Sequence, residues 1–211
     1  IIVHSLEKEP DFKEGDSVKV EVDKERRQQL AQHHTSTHIV NAAARKVLGS
    51  HINQAGAKKT KEKATLDITH YANISDEELK KIEQEANKIV KDQIKVSKFF
   101  LKRSDAEERF GMRIYQGGAV PGKELRIVQI GDIDIECCGG THLNNTSEAG
   151  EIKITDTKKI SDGIVRITFT AGKATKETSQ KEEGLLEEIA KLLDCNIQQI
   201  PARAEELFRL W

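Results

Sequence analysis

Hydrophobic and polar positions along the chain change their period several times, and each change predicts an element. Val18, Val20 and Val22 alternate with polar neighbours, which predicts a short strand over 17–22 after a turn at 11–15. From Glu25 the apolar positions recur at helical spacing up to Leu48, where Gly49 ends the run. Leu30, His34, His38 and Ala42 share one face of that helix. A strand is expected at 64–68. Ser75 and Glu78 are spaced as a capping box, which opens a helix reaching about Ile94 with Leu79, Ile82, Ala86, Ile89 and Val90 as its stripe. A strand over 96–101 follows, then a second capping box, Ser104 with Glu107, on a short helix that stops at Gly111.

A glycine-rich loop occupies 111–123. Strands are expected at 125–130 and 133–136, followed by a turn at Cys137–Cys138–Gly139–Gly140. Residues 151–160 and 164–170, joined through Ser161–Asp162–Gly163, read as an antiparallel hairpin. After Gly172 come two helical stretches broken near Cys195 and Pro201. One carries Leu185, Leu186, Ile189, Leu192 and Leu193, and the other Ala204, Leu207, Phe208 and Trp211. These faces are expected to pack on each other as a hairpin, because apolar area left in water costs about 25 cal/mol per Å². The expected fold class is α+β: an antiparallel β-sheet with packed helices, followed by a C-terminal helical hairpin.

Composition narrows the classes. Of 211 residues, 33% are charged and 36% hydrophobic, which suits a soluble, helix-rich chain with a solvated surface rather than a disordered one. No apolar run approaches the roughly 18 residues of a membrane span. Ile1–Pro10 holds His, Glu and Lys where a signal peptide would be apolar, and a start at Ile instead of Met suggests a piece of a longer protein. A net charge of −1 gives no bulk attraction for nucleic acid, so phosphate contacts would need local clusters such as Lys58, Lys59, Lys61 and Lys63. That run reads first as a solvated loop. Three cysteines, two of them adjacent, make a poor disulfide set and point to reduced thiols in the cytoplasm.

Two pairs carry chemistry. His34 and His38, four apart on a helix, point two imidazoles to one place. Cys138 and His142 flank Gly139 and Gly140, which permit a bend tight enough for thiolate and imidazole to converge. Alone, either pair is weak; together they form a set suited to tetrahedral zinc. His33 is a poor substitute for His34, since five residues swing it about 140° from His38. Cys137 rivals Cys138, although alternation through Ile133 and Ile135 sends it toward the core. Thr35 stands where a zinc peptidase of the HExxH kind needs its glutamate, so a metallopeptidase is excluded.

The segments His34-Thr-Ser-Thr-His38, Cys138-Gly-Gly-Thr-His142 and 161–172 (Ser-Asp-Gly-Ile-Val-Arg-Ile-Thr-Phe-Thr-Ala-Gly) resemble the editing domain of alanyl-tRNA synthetases and free-standing alanyl-tRNA editing proteins. The glycine-rich stretch 117–123 is similar to the archaeal form. The resemblance runs from about Gly15 to Lys173. It implies an ester hydrolase acting on tRNA(Ala) mischarged with serine and, less, glycine. It implies one zinc on His34, His38, Cys138 and His142, and substrate or water contacts from Thr37 and Gln54. Ala57 stands where the family has a serine. By the same resemblance 1–24 ends a preceding β-barrel segment, 25–172 is the zinc-dependent editing domain, and 173–211 leads toward a C-terminal region through which the full-length protein dimerises. The ATP- and alanine-binding domain has no counterpart here, so ATP would act only in that missing part.

Why such a site exists follows from pocket physics. A pocket sized for alanine rejects serine by only about 10²-fold, whereas a second site that hydrogen-bonds the serine hydroxyl leaves polar groups unpaired when alanine enters. Thr37, beside His38, is the residue expected to read that hydroxyl. Its alternative is a bond back to the carbonyl of His33. Gln54 is expected to hold the substrate or the attacking water, with backbone capping as its alternative. The metal could activate water, polarise the ester carbonyl, or order the substrate. A free-standing hydrolase and a tRNA-binding module with structural zinc stay open beside the editing domain.

Overall fold

The computed structural model describes residues 5–118 and 120–211. Its centre is α1 (Lys24–Leu48), capped by the Asp23 carboxylate, which accepts from the Arg26 amide at 2.9 Å. Two antiparallel sheets lie around it. The first runs in the order β1 (Gln54–Lys59), β2 (Ala64–Thr69), β7 (Ile164–Ala171), β6 (Ile152–Ser161). The second runs β3 (Val96–Lys102), β4 (Glu124–Ile130), β5 (Asp134–Cys137). Helix α2 (Asp76–Lys91) opens on the Ser75–Glu78 capping box and buries Ile82, Ala86 and Ile89. Helix α3 (Arg103–Phe110) lies on the far side of the second sheet.

The second sheet therefore divides two cores. One face contributes Val96, Val128 and Ile130 to the main core shared with α1, α2 and the first sheet. The other face packs Leu125, Ile127 and Ile135 against Ala106 and Ile114. Gly172 leads into α4 (Lys173–Leu192) at φ +62, a left-handed backbone that favours glycine, and a Cβ there would push on the end of the Gln32 side chain, 2.3 Å away at Oε1. Gln29 of α1 then holds both sides of the junction: its amide nitrogen donates to the Ala171 carbonyl at 3.0 Å and its oxygen accepts from the Ala174 amide at 3.1 Å.

Several expectations need correction. Residues 17–22 form no strand, and Val18, Val20 and Val22 are exposed, because no described strand offers its backbone to them. Residues 1–4, at the start of the segment assigned to 1–24, lie outside the described residues. Helix α2 ends at Lys91, short of Ile94, because Thr146 takes up both the amide and the carbonyl of Ile94. Helix α3 starts one residue before Ser104, so no second capping box forms: Ser104 turns to Asp105, and Glu107 accepts from Tyr115 and Arg103. The lysine run is no loop at Lys58 and Lys59, which end β1 paired with Thr65 and Ala64. The tail does form two helices, α4 and α5 (Ile200–Leu210), but their apolar faces do not close on each other. Leu192 and Phe208 are over four-fifths exposed, and α5 buries no residue. Among the described residues, no helix is long and apolar enough to cross a membrane.

Candidate metal centre

The inward face of α1 is polar along its middle. His33, Thr35, Ser36, Thr37, His38 and Asn41 are all buried, which demands partners for each. The loop after β5 supplies some of them. Arg126 of β4 donates to the carbonyls of Cys138 (2.6 Å) and Gly140 (2.9 Å), holding that loop in its bend. Gly140 sits directly on His34, where a Cβ would lie 2.1 Å from ring Cε1. The bend brings Cys138 Sγ to 3.4 Å from His34 Nε2 and 3.2 Å from His142 Nε2. His34, His38, Cys138 and His142 each offer a donor atom, all within 4.8 Å of one another.

These separations decide what the cluster can hold. Zinc bonds of about 2.0–2.3 Å in a tetrahedron set donor–donor edges of roughly 3.3–3.5 Å. The two sulfur–nitrogen distances match that edge, so the residues present fit a tetrahedral divalent ion. Protonation agrees for three of the four. Burial pushes the Cys138 thiol up, but hydrogen bonds from His142, His34 and His38 outweigh it and hold it down at about 2, so it is a thiolate. Burial lowers His142 to about 4 and lowers His34 as well, leaving neutral imidazoles.

His38 differs. Burial works to lower it, but the Glu136 and Asp134 carboxylates push it up to about 10. Its Nδ1 donates to Asp134 Oδ2 at 3.0 Å and lies 3.3 Å from Glu136 Oε2, so the proton there stays and Nε2 is the ligating nitrogen. Ligation asks Nε2 alone to give up its proton. Glu136 is itself raised to about 7 by burial, and Asn41 donates to it at 3.1 Å. On the other side, Thr35 Oγ1 lies 3.2 Å from His142 Nδ1 and accepts from the Leu143 amide. Partners on the outer nitrogens of ligand histidines fix tautomer and ring orientation. Sequence reading missed Asp134, Glu136, Thr35, Asn41 and Arg126. The signal was there in β5, where two carboxylates alternate with Ile135 toward a helix of histidines.

The other expected residues fall in different places. Cys137 is half-buried and packs on the second core, with burial raising its thiol. Thr37 is fully buried, and its hydroxyl donates to the His33 carbonyl at 2.8 Å, the back-bonded arrangement. Gln54 opens β1, and its backbone N–H donates to Gln116 Oε1 at 2.9 Å. The opposite end of that strand reaches the cluster: Lys59 is half-buried, lowered first by burial, and feels the charges of Cys138 and Glu136. Lys58 and Lys61 are exposed. A cavity of about 420 Å³ opens beside the cluster, lined by Arg26, Arg27, Leu30, His34, Lys59 and Thr141.

Residues 125–168, which take in the ligand loop after β5 and most of the β6–β7 hairpin, match the family model described as the threonyl and alanyl tRNA synthetase second additional domain. Over 203 residues, 96% of its length, the chain is 47% identical to an Alanine--tRNA ligase of Sulfurisphaera tokodaii. Over its whole length the chain is similar to archaeal alanine–tRNA ligases. Alanine--tRNA ligases of Methanothrix thermoacetophila and Pyrococcus abyssi are each 46% identical over 211 residues, all of this chain. It spans 22–23% of the length of these three relatives.

Proposed function

We propose that this segment of an alanine–tRNA ligase edits: it hydrolyses the ester bond of tRNA(Ala) mischarged with serine, and less readily with glycine. The observation that carries this reading is the convergence of two histidines and a Cys–His pair at zinc-like edges beside a cationic cavity, within a chain related throughout to alanine–tRNA ligases. His34, His38, Cys138 and His142 would hold zinc, which supplies Lewis acidity and a fixed positive charge. Asp134 and Thr35 orient two of the imidazoles. Arg26, Arg27 and Lys59 draw the phosphate and ribose end of the tRNA into the cavity. Lys58 and Lys61 meet the backbone farther along β1 and its turn. Thr37 reads the serine hydroxyl through its oxygen lone pairs, since its own proton is given to His33, and Gln54 steadies the substrate from the start of β1. The editing unit is 25–172; residues 173–211 connect it to the remainder of a longer enzyme.

The test is release of serine from seryl-tRNA(Ala) by the zinc-loaded chain, with alanyl-tRNA(Ala) as the counter-substrate. Cys138→Ala is expected to lose zinc and hydrolysis together; a Cys138→Ala chain with undiminished zinc overturns the ligand set and turns attention to Cys137. A second reading draws on the same edges. Four protein donors within 4.8 Å of one another, with both measured sulfur–nitrogen edges near tetrahedral length, resemble a closed structural site. In that case the chain binds the tRNA with zinc in place and releases no serine.

A further inference from the structure

Phe100 stands on the face of the second sheet that otherwise builds the main core. Its strand neighbours on that face, Val96 together with Val128 and Ile130 across β4, lie under α1 and α2, but at Phe100 the sheet has run out from beneath them. The ring is 63% exposed. A single exposed aromatic is ordinary; its setting is not. Directly across β4 from Phe100 is Arg126, so their side chains rise side by side about 5 Å apart at Cβ. Arg126 is the residue that grips the Cys138 and Gly140 carbonyls. Lys98, two positions back on the same face, donates to the His142 carbonyl and to Asn144 Oδ1. Both cations thus spend their hydrogen bonds on neutral oxygens at the lip of the ligand loop, with Glu148 the carboxylate whose charge reaches Lys98. The opposite face of the strand is occupied, since Phe99 and Leu101 pack on the second core.

We infer that Phe100 is a stacking platform for an unpaired nucleobase near the 3′ end of the substrate RNA, with Lys98 and Arg126 facing its phosphates. A flat aromatic ring beside cations on a sheet face is how proteins hold single-stranded nucleic acid without reading sequence. The cationic cavity at His34 and the Phe100 face flank the same 138–142 loop. A chain end whose ester lies in the cavity passes that loop on its way out. This inference rests on the editing reading for the identity of the RNA.

The experiment uses the zinc-loaded chain and an RNA hairpin with a four-nucleotide unpaired 3′ end carrying 2-aminopurine. Binding is expected to quench the probe by stacking. Phe100→Ala is expected to weaken binding by about 5- to 150-fold, the range for one lost base stack, and to relieve the quench. Phe100→Trp keeps both, and a blunt hairpin binds wild type and Phe100→Ala alike. Circular dichroism and zinc content establish that the variant is folded, and Phe100→Leu, which keeps apolar bulk without the ring, repeats the test. Equal affinity and quench in wild type and Phe100→Ala overturn the platform, as does an equal loss on the blunt hairpin. Serine release by wild type is scored separately. Ring-dependent binding without hydrolysis sinks the editing reading alone, and hydrolysis with ring-independent binding sinks the platform alone.

Discussion

Gly140→Ala is the sharpest perturbation the site offers. An alanine Cβ at 140 would lie 2.1 Å from His34 Cε1 and 2.5 Å from Nδ1, against ordinary contact at 3.4 Å or more, so ring or loop must retreat by roughly 1.3 Å. Metal bonds tolerate only about 0.2 Å. The loop cannot yield freely, because Arg126 holds the carbonyls on either side of Gly139. His34 cannot swing aside without leaving Cys138. We therefore expect zinc affinity to fall by at least the 10- to 100-fold that loss of an outer-shell partner costs, with the fold retained. Gly139→Ala is the control, since its Cβ meets nothing within 4 Å. Neither glycine has a left-handed φ, so both substitutions are free of backbone strain. Competition against a chromogenic chelator reads the affinities. Equal affinities for the two alanine variants refute the claim that Gly140 is small in order to seat His34.

Asp134→Ala should lower zinc affinity about 10- to 100-fold by freeing the His38 ring, with Asp134→Asn between it and wild type; chelator competition checks this, and unchanged affinity removes Asp134 from the site. Stability of the metal-free chain should depend on acid through His142. Its folded pKa is depressed from 6.5 to about 4 by burial, so its contribution is whole above 6.5 and is lost as pH falls through 4. At 1.36 kcal/mol per unit the loss reaches about 3 kcal/mol. Urea unfolding should show it and His142→Gln should flatten it; an identical slope in the variant counts against the assignment. Thr37→Val should slow seryl-ester hydrolysis on the order of 10-fold, and unchanged selectivity between seryl- and alanyl-tRNA(Ala) would leave the hydroxyl with no role beyond its bond to His33.

What could be read in advance was whatever period and capping encode. Helix α1, the Ser75 capping box and the β6–β7 hairpin follow from local spacing, and so did the two metal-type pairs. Misreadings arose where a partner far along the chain decides. Strand β1, Gln-Ala-Gly-Ala-Lys-Lys, has no alternation and exists because β2 pairs with it. The valines at 18, 20 and 22 alternate cleanly and find no partner strand among the described residues. Thr146 cut α2 short from 52 residues downstream. In the site, donor types were legible from spacing, but Asp134 on His38 joins residues 96 apart, and no local pattern reports such a bond.

The junction at Gly172 turns α4 into a lever. Twenty helical residues extend about 30 Å, and the fulcrum is Gln29, which grips Ala171 and Ala174 and also lies 3.2 Å from His33 Nε2. His33 in turn bonds Thr60 through its other nitrogen and receives the Thr37 hydroxyl on its carbonyl. Torque applied at the far end of α4 is therefore delivered within two turns of His34 and His38. Hydrogen exchange along 30–38 should register what is attached to the tail, and a wholly indifferent exchange pattern would mean the fulcrum slips.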